Sequence, residues 1–218
     1  MKRNFSFAVL GLFLIGFSFV LASCGEDSSP QNNISEITKI YYKGGGDGVE
    51  GSISVGQREE PYKMDGIHND LCDFSLVVVQ FDEQFEENEI EVNLSINGNL
   101  QTLTMYFNPL SNSYMVDLGY LIGSNDQINL SYNTYSLDFF NVSDSFSVSY
   151  SEAVDIALDN LDMQEYYQDG VFKGECYLKI LSEKDSDLED LFWIFSVVGE
   201  NGNVKNIVIN VENGEVLS

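Results

Sequence analysis

The sequence predicts an all-β fold followed by a smaller α+β unit: an antiparallel β-sandwich over residues 35–147, then one helix on an antiparallel sheet over residues 148–218. Two observations carry this reading. Up to residue 147 the chain consists of short apolar-alternating runs separated by turn residues, with no helical period. After Ser149 the period becomes helical for about three turns and then returns to strands.

In chain order, the first element is not part of the fold. Lys2 and Arg3 precede an apolar run from Phe7 to Leu21, and small residues then lead to Cys24, the three parts of a secretory signal. Gly11, Gly16 and Ser18 interrupt the run, leaving it short of the roughly 20 continuous apolar residues that a spanning helix needs. Leu21-Ala22-Ser23-Cys24 resembles the lipobox of bacterial lipoproteins. That resemblance implies a signal peptide over residues 1–23, lipidation of Cys24, and an extracytoplasmic protein anchored by lipid to the bacterial cell membrane or outer membrane. Residues 24–34 are polar and turn-rich, the composition of a flexible tether.

Eight strand candidates follow: Ile37–Lys43, Gly51–Val55, Phe74–Phe81, Ile90–Ile96, Gln101–Phe107, Tyr114–Leu118, Ile128–Asn133 and Ser136–Asn141. Ile90, Val92, Leu94 and Ile96 share one face while Glu91, Asn93 and Ser95 share the other, so one face is core and the other wet. Asn97-Gly98-Asn99 supplies the positive-φ residues of a tight hairpin, and Gly44-Gly45-Gly46 and Asn108-Pro109 read as turns. Short strands at this spacing predict a sandwich of immunoglobulin-like shape, without the cysteine and tryptophan pattern of antibody domains.

The helix is expected over 151–161, with Ser151 as N-cap and Ala153, Ile156 and Ala157 on its inner face. Three strands follow at Cys176–Leu181, Leu191–Val198 and Val204–Val211, joined by turns at Asn201-Gly202-Asn203 and Asn213-Gly214. The capped helix, the aromatic strand around Trp193 and the ending Ile209-Asn210-Val211-Glu212-Asn213-Gly214-Glu215-Val216-Leu217 together resemble a PepSY domain. Asn210 and Asn213 stand where that family usually has aspartate and threonine. The resemblance implies a non-catalytic module that modulates extracytoplasmic peptidases.

Charge narrows the partners. After residue 23 there are eight lysines and arginines against 35 acidic residues, a net charge of −27. Not one lysine or arginine occurs between Lys63 and Lys173, so no basic surface is present there to neutralise phosphates, which excludes nucleic acid as a partner. Any charged partner should be basic or a multivalent cation. Cys72 and Cys176 are far apart in the chain, and an exported compartment permits, without requiring, a disulfide between them.

No catalytic set is recognisable. His68 is the single histidine, which excludes a multi-histidine metal site, and neither a nucleophile elbow nor a metallopeptidase helix motif is present. The runs Asp82-Glu83, Glu86-Glu87 and Asp185–Asp190 lack the glycine and spacing of a calcium loop and read as solvated. No metal or cofactor is called for. The densest mixture of chemical types is the stretch from Arg58 to Asp70, where Arg58, Glu59, Glu60, Asp65 and His68 are the candidate binding residues, with Arg58 expected to pair locally with a glutamate. The expected function is that of a non-enzymatic, lipid-anchored envelope protein binding a protein partner, a peptidase among the candidates. The alternative is a glycan- or solute-binding lipoprotein that stacks sugars on Tyr132, Tyr135, Phe139 or Phe140.

Overall fold

The computed structural model describes residues 29–83, 85–182 and 191–217. The signal sequence, Cys24 and the acidic run 185–190 therefore lie outside the described residues. Pro30–Asn33, which composition assigns to the tether, form a turn of 3-10 helix, and Asn33 Nδ2 donates to the Gly174 carbonyl at 3.0 Å.

Strands form where the alternation lies: β1 (Ile34–Gly46), β2 (Val49–Glu59), β3 (Leu71–Phe81), β4 (Glu89–Ile96), β5 (Asn99–Asn108), β6 (Ser113–Asp117), β7 (Ile128–Tyr132) and β8 (Tyr135–Asn141). They do not divide into the two sheets of an immunoglobulin-like sandwich. They pair in the order β1-β2-β3-β6-β5-β4-β7-β8, and β8 returns to β1 through Tyr42↔Asn141 and Gly44↔Phe139, closing an eight-stranded antiparallel barrel. The sandwich expectation is thus corrected. Sandwich and barrel share strand number and in-out alternation, and differ in whether the last strand reaches the first.

Local chemistry makes that closure possible. Gly44-Gly45-Gly46, expected as a turn, is the end of β1, and the turn falls at Asp47-Gly48 instead. A Cβ on Gly44 would stand 2.7 Å from the Asp138 carbonyl, so only glycine lets β8 approach. Further back, the β1–β2 register slips between Thr38 and Ile40, a bulge facing Gly56, whose added Cβ would overlap the Ile37 carbonyl. Such a bulge bends and twists a strand, the deformation a barrel needs.

The barrel is filled. Ile53, Val77, Val79, Val92, Leu94 and Met105 have no measurable exposure, and Tyr42, Leu130 and Leu137 are 1% exposed. Each such side chain contributes about 1.5–3 kcal/mol by leaving water. Glu89, Glu91 and Asn93 face outward and are exposed, the reverse of a barrel whose outer band contacts lipid. Among the described residues no helix is long and apolar enough to cross a membrane. One end is plugged by aromatic rings, with Phe81 5.1 Å from both Phe85 and Tyr135. The connection 118–127 closes the other end with Ile122, 1% exposed and held by its N–H donating to Ser75 Oγ at 3.1 Å.

After the barrel come α1 (Tyr150–Asn160), the small pair β9 (Tyr167–Gln168) and β10 (Val171–Phe172), then β11 (Gly174–Ser182), β12 (Leu191–Gly199), β13 (Val204–Asn210) and β14 (Val216–Leu217). The N-cap is Ser149 rather than Ser151. Its side chain accepts the Glu152 N–H while the Glu152 carboxylate accepts the Ser149 N–H, a complete capping box. The helix lies against β12 and β13, and Trp193 beneath it donates Nε1–H to the Val148 carbonyl at 2.9 Å.

A free-standing PepSY-like module is not what these elements make. β11 runs parallel to the first half of β1, with Ile34↔Cys176 and Ile37↔Leu178, so one twelve-stranded sheet holds both barrel and extension. Side chains on neighbouring strand residues point to opposite faces. Tyr41 accordingly packs in the core under α1, and Tyr42, the next residue, packs inside the barrel. One strand belongs to both cores, which is what overturns the expectation of a sandwich followed by a separate helix-on-sheet unit.

Candidate functional site

The end of the barrel closed by 118–127 is also the end at which β1 begins, β2 stops and β11 joins. The strap 60–70 crosses it between β2 and β3. Successive residues at the end of β2 face opposite ways, and this divides the chemistry. Glu59 turns inward and is 1% exposed; its carboxylate accepts the Lys63 N–H, the Asn69 N–H and Asn69 Nδ2, each at 3.2 Å. It fastens both arms of the strap. Arg58 and Glu60 flank an open cleft of about 730 Å³, whose wall also holds Tyr62, Cys72, Asp73 and Asp117.

Arg58 does not pair with a neighbouring glutamate as expected. Its guanidinium binds the Asp117 carboxylate, brought beside it because β6 pairs with β3, and lies 5.4 Å from the Tyr62 ring and 5.1 Å from the Phe74 ring. Stacking and ion pairing both use the planar cation, so Arg58 is fixed and its charge is internally neutralised. The carboxylates of Glu60 and Asp73 have no cation against them among the described residues. Cys72 is exposed on the same wall, where a hydrogen bond to Glu60, then some desolvation and the charges of Glu60, Asp70 and Asp73, raise its pKa above the ordinary thiol value.

Asp65 and His68 sit on the strap outside the cleft lining. Asp65 Oδ1 accepts the Ile67 N–H at 3.2 Å, a turn contact, and His68 Nδ1 lies 3.1 Å from Ser35 Oγ. Ser35 is wholly buried, so that hydroxyl has no path to a substrate, and the contact ties the strap to β1. Cys176 is buried and Cys72 exposed, and both are free thiols. Among the described residues no group of three or more histidine, cysteine, aspartate or glutamate side chains converges as a metal site would.

Sequence reasoning missed the anchor under the strap. Glu175 of β11 is fully buried; its Oε1 accepts the Gly66 N–H at 2.9 Å while its Oε2 has no hydrogen-bond partner. Burial raises its pKa, opposed by the Gly66 N–H and by the neighbouring Tyr177 and Ser35 hydroxyls, with the Glu59 charge adding to the rise. Beside it the Tyr177 hydroxyl donates to the Lys63 carbonyl at 2.8 Å, and Lys179 bridges Glu36 at 3.0 Å and the Tyr62 hydroxyl at 2.6 Å. Gly66, at φ +83°, presses on the backbone of Gly199 and Glu200 where a Cβ would overlap it. These partners come from β11 and β12, more than a hundred residues later in the chain for Glu175, and no local pattern announces them.

The aromatic residues expected to stack on sugars are separated by the fold. Tyr132 and Tyr135 pack on Phe81 at 5.5 and 5.1 Å in the opposite plug, and Phe139 is buried. Phe140 alone of the four stands out from the barrel, 68% exposed. No family model, curated protein or solved structure matches this chain.

Proposed function

We propose that this is a lipid-anchored, non-enzymatic protein of the bacterial cell envelope that holds a basic segment of a protein partner in the cleft beside Arg58. The observation that carries the reading is the charge state of that cleft. Its one guanidinium is consumed by Asp117, and among the described residues Glu60 and Asp73 have no cationic partner beside the aromatic face, Glu60 accepting from the Cys72 thiol and Asp73 from Gln57 Nε2 at 3.2 Å. A lysine or arginine side chain supplies what they lack. The peptidase expectation rested on the PepSY resemblance and is not carried forward with it.

Localisation is supported by the lipobox around Cys24 and by the short distance from it to the fold. The first described turn begins at Pro30, and the chain enters at the cleft end of the barrel. Residues between Cys24 and Pro30 reach at most about 20 Å when extended. A lipid on Cys24 thus keeps the cleft near the membrane surface, where a juxtamembrane basic segment of another envelope protein is within reach.

The test is fluorescence anisotropy of a labelled decapeptide containing lysine and arginine, titrated with the full chain. Glu60→Gln with Asp73→Asn should weaken binding about fivefold or more, since two partly exposed ion pairs contribute about 0.5–1 kcal/mol each. Glu89→Gln with Glu91→Gln removes equal charge from the far barrel wall and should change it less than about twofold. Equal effects of the two double variants would mean diffuse attraction to an acidic protein, and the cleft assignment would fall. Incorporation of labelled palmitate, lost in Cys24→Ala, tests the anchor separately.

A further inference from the structure

A second concavity opens on the same end of the barrel, beyond the 118–127 connection. It has a volume of about 600 Å³ and is bounded by the loop 124–127, the first residues of β7 and the end of β8. From its lining we infer that it is a binding site for a neutral saccharide.

Three features of the lining lead there. Phe140 projects beside it with 68% of its surface exposed, although the alternation of β8 places polar Ser136 and Asp138 on the same outer face. An aromatic face left in water at the edge of a concavity suits the C–H face of a sugar ring. Planar polar groups surround it: Asn125, Gln127, Asn129, Asp138 and Asn141. Amides and carboxylates offer donors and acceptors in fixed planes, the complement of adjacent ring hydroxyls.

The site is also built in advance. Asp126 accepts the Gly123 N–H at 2.8 Å and Asn97 Nδ2 at 2.7 Å; Asn141 Nδ2 donates to the Ser124 carbonyl at 3.0 Å; Asn129 Nδ2 donates to Asp138 at 2.8 Å. The buried Tyr42 hydroxyl holds the Gly123 carbonyl from beneath. Loop and hairpin side chains are thereby fixed before a ligand arrives, which lowers the ordering cost of binding.

Charge and topology select the class of ligand. The groove lining holds Asp126 and Asp138 and, among the described residues, no lysine, arginine or histidine, the cross-strand neighbour of Phe140, Lys43, lying outside it, so uronic acids, sulfated sugars and phosphates are disfavoured. An extended peptide has no strand to join, because β8 is paired with both β7 and β1 and β7 with both β4 and β8. What remains is a polyhydroxylated, uncharged chain that stacks once and hydrogen-bonds to amides.

The experiment uses the full chain in isothermal titration against hexasaccharides of β-1,4-linked glucose, xylose and N-acetylglucosamine and of α-1,6-linked mannose, with polygalacturonate as the anionic comparison. At least one neutral hexasaccharide should bind, and Phe140→Ala should weaken it about tenfold or more while Phe140→Trp retains it. Phe140 is exposed, so its replacement should leave the melting temperature unchanged, and Asn129→Ala with Asp138→Ala provides an independent second variant. The inference is overturned if none of the neutral hexasaccharides binds, if binding survives Phe140→Ala, or if only polygalacturonate or the basic decapeptide responds to these variants. Glu60→Gln with Asp73→Asn should not alter saccharide binding, which keeps the two sites' outcomes distinct.

Discussion

Replacing Glu175 by glutamine is expected to make the protein more stable at neutral and alkaline pH and to leave it nearly unchanged in acid. The side chain is fully buried, one oxygen receives the Gly66 N–H, and the other has no partner. Burial raises the folded-state pKa. A carboxyl so shifted binds its proton more tightly when folded than when unfolded. Its contribution is therefore fully present below the unfolded value of about 4.3 and is lost as the pH rises through the raised folded value. Glutamine keeps the acceptor for Gly66 and cannot ionise. A tenfold difference in proton affinity between the folded and unfolded states corresponds to about 1.4 kcal/mol, so the stability difference between variant and parent should grow by an amount of that order from pH 4 to pH 8. For a chain of this size it appears as a rise of roughly 3–10 °C in melting temperature at pH 8. Urea unfolding of both proteins at each pH, read as a difference curve, cancels the general repulsion among the other acidic groups. A flat difference curve, or a glutamine variant that is less stable at pH 8, would refute the reasoning.

Three further outcomes follow from the same geometry. Gly66→Ala should release the strap, since alanine meets both the positive φ and the Gly199–Glu200 backbone; hydrogen exchange of residues 60–70 should accelerate at least tenfold while the barrel strands remain protected. Gly56→Ala should prevent barrel closure altogether, because the clash is with the Ile37 backbone carbonyl and no side chain can yield; far- and near-ultraviolet circular dichroism of the purified variant checks it. Glu60→Gln should speed alkylation of Cys72 by iodoacetamide at pH 8, as it removes the group that most favours the thiol form, whereas Cys176 should react only on unfolding.

The parts of the site legible in sequence were those made by neighbours. Arg58, Glu59 and Glu60 stood out as a dense mixture of chemistry and do border the cleft. Their roles were not legible, because alternation along β2 sends Glu59 into a buried anchor and leaves Arg58 and Glu60 outside, and because Asp117 arrives only through the β3–β6 pairing. His68, the lone histidine, drew notice for its rarity and turned out to tie a strap to Ser35. The four aromatic residues of 132–140 looked equivalent as candidates. Closure of the barrel gives Tyr132 and Tyr135 to a plug and Phe139 to the core, and leaves Phe140 to solvent.

By itself the sequence determined where most strands lie and that a capped helix follows them near residue 150, because period, turn chemistry and capping act between residues a few positions apart, although the first turn fell at Asp47-Gly48 and the cap at Ser149. It likewise determined the excess of negative charge and the lipobox expectation at Cys24. The tertiary structure alone decided that β8 returns to β1, that β11 joins the same strand in parallel, and that Tyr41 and Tyr42 serve different cores. Those outcomes depend on pairings between distant segments. An alternating strand carries the same pattern whether its sheet stays open, stacks or closes, and the bulge and glycines that allow closure show their purpose only when the partner strand is in place.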